Sequence, residues 1–542
     1  MGDIDYGSLR CLVVDDFGNF RSTLAGMLAK MGLSQVDQAS NVNGLIAACE
    51  KRQYDVILSD YDLGAGRNGQ RGLEELRHRR LIDKRCLFML VSGNASKEAV
   101  LATYDNDPDD YLSKPFTAKV LHQRLERLLA QRQALMPVYK ALDNSDIPRA
   151  VFLLTEMSIA NNRHSIAAQK SLGRLFIEQG ELDKAERVFS LSLQTRPLDW
   201  ARLGMARVKA LRGERGLAEE WMEQIISDSP LFLPAYDALA DNCAHSGRRQ
   251  VEQATVQKAV DISPMSILRL KRLAEVAQVN GDWPTALHAW RRVIKLGEES
   301  VHAQARDGIQ FARAAAGALQ HSTANEPALI QEAMQMLGAT RDRFLLPVAE
   351  QLQADLLLGR LLAMEGKLEH AQSQISDVER TIEQENIRDV DTDIERAYAK
   401  LAIGEKEEAE ALIDSLLQTY AYDQEALEKL DKLLSEPVSE SNRSLVAQIN
   451  REGIELYNQG QYDQALNAFA QARGLFPNHL GIQLNVLQCL VGKLRLEPLG
   501  QEQADMLRVL LNLLNTVVTQ DHPQFERFAR LRQMALKPGN LS

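Results

Sequence analysis

The chain has 542 residues, enough for three or four domains at roughly 150 residues each. Its 45% hydrophobic and 25% charged composition excludes a disordered, collagen-like or disulfide-built protein, and its formal charge of −11 argues against a phosphate backbone as partner, so no nucleic acid is expected. Cys11, Cys49, Cys86, Cys243 and Cys489 are scattered without C-x-x-C spacing, implying neither zinc nor a disulfide framework; with no charged-then-apolar leader and no apolar run near the ~18 residues of a membrane helix, the expectation is a cytoplasmic protein without membrane insertion.

From Cys11 to about Ala130, short apolar runs alternate with amphipathic stretches, the pattern of a parallel α/β domain. Cys11–Val14, Val56–Leu58 and Leu87–Val91 are too short for buried helices and read as central strands covered on both faces. Phe20–Met31 and Leu73–Arg80 carry apolar residues at helical spacing, and Lys119–Leu129 closes the unit as a last helix that feeds onward near Val138. The basic run Arg77–Arg80 suits the solvated C-terminal end of a helix, where cations complement the dipole.

Beyond this point the strand signal vanishes and a repeat emerges. Gly180, Gly213, Gly247 and Gly281 lie 33, 34 and 34 residues apart, and Pro197, Pro230 and Pro264 lie 33 and 34 apart. Each unit reads as two helices with glycine in the turn and proline ending the second. Ala185, Ala218 and Ala286 sit where helices pack closely, with Phe189, Met222 and Trp290 one turn later; Glu252 stands where the third copy should have alanine. Trp200, Trp221, Trp283 and Trp290 read as core residues of these units. The pattern resembles the tetratricopeptide repeat, a helix-turn-helix of about 34 residues. Its clearest copy is Gly453, Gly460, Tyr462, Ala465, Phe469, Ala472 and Pro477; weaker copies surround Gly359, Gly366 and Ala371, and Gly404 and Ala409, and Asp146–Thr155 looks like a degenerate first unit. The Met506, Leu507, Leu510, Leu511, Leu514, Val517, Val518 stripe suits a cap over the last repeat or a homodimer seam, the cap being favoured because terminal repeats must be covered. The expected division is therefore 1–130, an α/β domain; 131–434, helical repeats; 435–443, a polar linker; and 444–542, a further repeat with capping helices.

The N-terminal domain carries the chemistry. Asp15 and Asp16 follow the first strand, Asp60 the second run and Ser92 the third, while Lys114 precedes Pro115. A parallel sheet brings strand carboxyl ends to one edge, so these side chains converge. Three carboxylates there repel one another and call for a divalent cation; oxygen ligands suit Mg²⁺. With the cation bound, one carboxylate is free to attack a phosphoryl group. The motifs Leu12–Asp16, Ile57–Asp60, Val91–Gly93 and Tyr111–Phe116 resemble, in order and spacing, those of the receiver domain of bacterial two-component response regulators. That resemblance implies a doubly wound, flavodoxin-like fold, with Asp60 as phosphoacceptor; Asp15, Asp16, Asp60 and the backbone carbonyl of Asp62 as Mg²⁺ ligands; Ser92 and Lys114 on the phosphoryl oxygens; and Tyr111 as an aromatic switch. The loop after Asp60 is longer than the family's and lacks its Met-Pro, and Asp62 and Asn94 occupy positions that tune acyl-phosphate lifetime.

The function expected from these readings is a phosphorylation-regulated adaptor. A histidine kinase or phosphotransfer protein modifies Asp60, and the repeats, which supply binding surface and no catalytic centre, hold a protein or peptide, for example a second response regulator or a second-messenger enzyme. A constitutive scaffold with a non-switching receiver is one alternative. A phosphatase with Asp60–Tyr61–Asp62 as its D-x-D nucleophile is another, disfavoured because its acidic pair follows the nucleophile whereas Asp15–Asp16 precedes Asp60.

Overall fold

A computed structural model describes residues 5–64, 67–93, 108–160, 162–321 and 326–536. Its N-terminal part runs β1 (Arg10–Val14), α1 (Gly18–Lys30), β2 (Gln35–Ala39), α2 (Val42–Lys51), β3 (Val56–Asp60), α3 (Gly69–His78), β4 (Leu87–Ser92), β5 (Asp110–Ser113) and a long helix α4 (Ala118–Asp143). The five strands form a parallel sheet in the order β2-β1-β3-β4-β5. The three apolar runs are its centre because alternate side chains of one strand point to opposite faces. Leu12, Val14, Ile57, Phe88 and Leu90 bury one face against α2 and α3, and Cys11, Val13, Leu58, Met89 and Val91 bury the other against α1 and α4. Each such side chain contributes about 1.5–3 kcal/mol when fully buried. β2, with the sequence Gln-Val-Asp-Gln-Ala, and α2 complete the doubly wound fold without having been marked by the apolar pattern.

Helix α4 is longer than the expected Lys119–Leu129. It continues unbroken to Asp143, so Leu121, Leu125 and Leu129 pack in the sheet's core while Leu135, Val138 and Ala141 join the first helical pairs. Beyond it the described residues are helical. The punctuation glycines do what their spacing predicts: Gly180, Gly213, Gly247, Gly281, Gly366, Gly404 and Gly460 all adopt positive φ, between 70° and 89°, at the turn joining two helices. Glu252 stays buried where alanine was expected, its charge met by Arg249 at 2.8 Å. Trp290 is fully buried, and its indole N–H donates to Gln278 at 2.7 Å.

By contact density the chain forms two units, Met1–Leu270 with Lys295–Ala303, and Lys271–Ile294 with Gln304–Ser542. In the second, the expected C-terminal stripe is buried through Leu507, Leu510, Leu511, Leu514 and Val518, against helices Leu480–Leu494 and Phe525–Ala535. The polar segment 435–443 is fixed by the buried Asp431, which accepts from the Val438 amide at 2.6 Å and Asn442 at 2.9 Å, and Glu440 already begins a helix.

In the first unit the Phe189 ring lies between two glycines, and a Cβ at Gly173 or Gly204 would approach it to 2.4 or 2.5 Å. Gly204→Ala is therefore expected to destabilise the unit by about 1–3 kcal/mol through overpacking. Differential scanning calorimetry should show a lower thermal midpoint, while Gly216→Ala, a helical position whose Cβ meets nothing within 4 Å, should keep or raise the midpoint.

Candidate functional site

The site is assembled by strand register. Val14 pairs with Ser59, Asp60 with Val91, and Ser92 with Ser113, so Asp15 and Asp16, Asp60, Ser92 and Lys114 leave their strands along one edge. Asp15, Asp60 and Ser92 are buried. Carboxylate oxygens of Asp15, Asp16 and Asp60 lie within 4.8 Å of one another. The Lys114 ammonium bridges two of them, 2.8 Å from Asp15 Oδ2 and 2.8 Å from Asp60 Oδ2, and its backbone N–H donates to the Ser92 carbonyl at 2.7 Å. Tyr111 sits on β5, packed against the core of the α2–α3 face.

One ammonium does not balance three carboxylates. Burial pushes the Asp60 carboxyl up to about 6, even though Lys114 pulls it down. Burial would lower Lys114, but its hydrogen bonds to Asp15 and Asp60 outweigh this and hold it above the ordinary lysine range. Asp16, a member of this cluster, has one carboxylate oxygen, Oδ1, buried with no hydrogen-bond partner. A hard divalent cation fits this donor set: it takes oxygen ligands and removes the residual negative charge.

Three further residues that the strand-end reasoning passed over shape the site. The Phe20 ring centroid lies 4.0 Å from Lys114 Nζ, a cation–π contact of about 0.5–2 kcal/mol. Arg21 donates to the Asp15 carbonyl at 2.5 Å. Gly69, closing the long loop, lies so near Asp60 that a Cβ there would be 2.0 Å from the Asp60 carbonyl oxygen, and its N–H donates to the Tyr61 carbonyl at 2.8 Å. Only the loop's unusual glycine content hinted at this. The Asp62 carboxylate accepts from the Gly64 amide at 3.2 Å; Asn94 lies outside the described residues.

The response regulator receiver domain family matches residues 11–126, and the tetratricopeptide repeat family matches residues 450–492. Chemotaxis protein CheY-3 of Vibrio cholerae is 22% identical over 123 residues, 22% of this chain and 92% of that protein. Chemotaxis protein CheY of Pseudomonas aeruginosa is 23% identical over 122 residues, 22% of this chain and 95% of the relative. Among solved structures, NtrX from Brucella abortus is 25% identical over 24% of this chain and 29% of its own, with a TM-score of 0.23. V. cholerae CheY4 is 24% identical over 22% of this chain and 98% of its own, with a TM-score of 0.21.

The N-terminal part is thus a CheY-like receiver domain, a module of two-component signalling whose chemistry is phosphoaspartate formation and loss rather than general enzymatic turnover. The chain joins it to a C-terminal tetratricopeptide-repeat region, a protein-interaction module. Among the described residues no helix is long and apolar enough to cross a membrane.

The raised Asp60 value has a testable sign. Because its folded value lies above the ordinary 3.8, the stability that Asp60 contributes is full below that ordinary value and is lost as pH rises through about 6. A divalent cation offsets the loss. The rise in thermal midpoint on adding Mg²⁺ is expected to be larger at about pH 7.5 than at about pH 5, measured by scanning fluorimetry; equal rises at both would contradict the assignment.

Proposed function

We propose that the protein is a phosphorylation-regulated signalling adaptor in which Asp60 accepts a phosphoryl group from a histidine kinase or phosphotransfer protein, and that this controls protein binding by the helical repeats. The observation that carries the reading is the Asp60 carboxylate at the sheet edge, bonded to Lys114 and crowded by Asp15 and Asp16. An Asp60 oxygen attacks phosphorus, the donor's P–N bond breaks as the P–O bond forms, and the histidine imidazole leaves with the electron pair and takes up a proton. Lys114 meets the charge on the transferred oxygens, with the Ser92 hydroxyl as a further donor. Asp15, Asp16, Asp60 and the carbonyl of Asp62 would hold Mg²⁺, which when bound neutralises charge on those oxygens. Phosphorylation draws Ser92 toward Asp60 and lets Tyr111 turn inward. The β5 end is tied to α4 by Asp110, which accepts from Arg124 at 2.7 Å and Arg127 at 3.0 Å, so the change has a bonded route toward the first repeats. The partner class favoured is another signalling protein, such as a second response regulator or a second-messenger enzyme.

Intact mass after incubation with acetyl phosphate should show a Mg²⁺-dependent phosphoryl adduct on wild type and none on Asp60→Asn. Lys114→Met is expected to slow adduct formation by roughly 10²-fold, with circular dichroism alongside to check that the variant is folded. Partner affinity should differ between wild type treated with the donor and Asp60→Asn; equal affinity in both identifies the constitutive scaffold instead.

A further inference from the structure

The long loop after Asp60 leads into a buried polar contact that no motif marks. Helix α3 starts at Gly69, in van der Waals contact with the Asp60 backbone, and five residues on it carries Glu74, a carboxylate only 6% exposed. Arg71 of the same helix lies 2.8 Å from Glu74 Oε2. The remaining partners come from the connection Lys295–Ala303, 226 residues away in sequence and within the same compact unit. His302 Nε2 is 3.0 Å from Glu74 Oε1, and the Ser300 hydroxyl donates to Glu74 Oε2 at 3.3 Å. The His302 ring also meets His78, at the end of α3, edge to face at 6.1 Å. Burial would raise the Glu74 carboxyl, but the bonds from His302 and Arg71 hold it below the ordinary glutamate range. Ser300 orders its own segment too, accepting from the His302 amide at 3.1 Å.

Beside this contact lies a cavity of about 580 Å³, with Leu63, Arg67 and Glu75 on the receiver side and Glu298, Ser300 and Val301 on the connection. Arg67 closes the receiver wall by bonding Glu75 and Asn43. Leu63 and Arg67 belong to the loop that leaves Asp60, and Gly64 of that loop lies against the Asp16 carboxylate, where a Cβ would be 3.4 Å from Oδ2. One part of this loop, Gly64, thus lies beside the acidic site, and a later residue of it, Arg67, holds the cavity wall just before α3 starts.

We propose that the Glu74 face of α3 is an internal docking surface for the connection Lys295–Ala303, and that phosphorylation of Asp60 loosens it. The inference rests on Asp60 being the phosphoacceptor. Drawing the Tyr61–Gly64 segment toward a filled acidic site pulls Arg67 from Glu75 and Asn43, opening the cavity wall beside Glu74. Thermodynamic reciprocity then requires that a broken clamp favour the phosphorylated state to the same degree.

Hydrogen exchange of 295–303 in the full chain, read with and without acetyl phosphate and Mg²⁺ alongside intact mass, tests this. Donor treatment is expected to speed exchange in this segment by about five-fold or more in wild type and not in Asp60→Asn. Glu74→Gln and His302→Ala should show fast exchange without the donor, still form the adduct, and gain nothing further from it. An adduct with unchanged exchange in 295–303 overturns the coupling and leaves the phosphoacceptor standing; no adduct in wild type overturns both. Wild-type protection in His302→Ala, which truncates a side chain 27% exposed and lying outside the receiver core, overturns the docking role even if Glu74→Gln fails to fold.

Discussion

One uninterrupted helix imposes the central constraint on the first unit. Helix α4 contributes Leu121, Leu125 and Leu129 to the core of the sheet and Leu135, Val138 and Ala141 to the core of the first helical pairs. Pro137 lies inside this helix and removes one of its backbone hydrogen bonds, so its course is held by the stripes packed into the two cores at either end. Polar contacts reinforce the same geometry: Arg132 bonds Asp109 before β5 at 2.6 Å, and Arg85 before β4 bonds Asp143 at the far end of α4. The receiver and the first repeats therefore share structure, and the repeats inherit the position of β5 and the site at its end.

The site itself is built against its own electrostatics. Three carboxylates converge within 4.8 Å, and the fold holds them there with Lys114, the backbone N–H of Phe17 on Asp15 at 2.8 Å, and burial that the surrounding apolar packing sustains. Such an arrangement is costly in isolation, since carboxylates leaving water need compensating charge. The compensation is incomplete in the chain alone, as the raised Asp60 value and the unpartnered Asp16 oxygen both record. On the proposed reading, that deficit is what a cation at this edge, or a change of charge on Asp60, would act upon.

What the sequence disclosed follows from how local each signal is. β1, β3 and β4 were legible because strands buried on both faces are continuous apolar runs. β2 was not, being an edge strand of Gln, Val, Asp, Gln and Ala whose pairing to β1 supplies most of its reason to exist. The repeat period was legible through glycine because the inter-helix turn demands positive φ, which only glycine adopts without strain. Asp15, Asp16, Asp60, Ser92 and Lys114 could be gathered in advance because strand ends of a parallel sheet share an edge. Glu74, Ser300 and His302 could not: a carboxylate on an amphipathic helix and a histidine in a connection have no local feature that joins them across 226 residues.

These two attachments of the receiver differ in kind, and the difference bears on which one can switch. Helix α4 is covalent and packed through apolar side chains on both sides, so displacing it disturbs two cores at once. The α3 contact rests on one carboxylate with its few donors, beside a cavity rather than a packed interior. Elements with few apolar contacts open at low free energy, while core elements open only near the global limit. A signal of the size that one phosphoryl group supplies, a few charge-assisted hydrogen bonds, is matched to the second kind of contact. On the proposed reading, helix α4 stays in place through its two packed stripes and the α3 contact is the part that would yield.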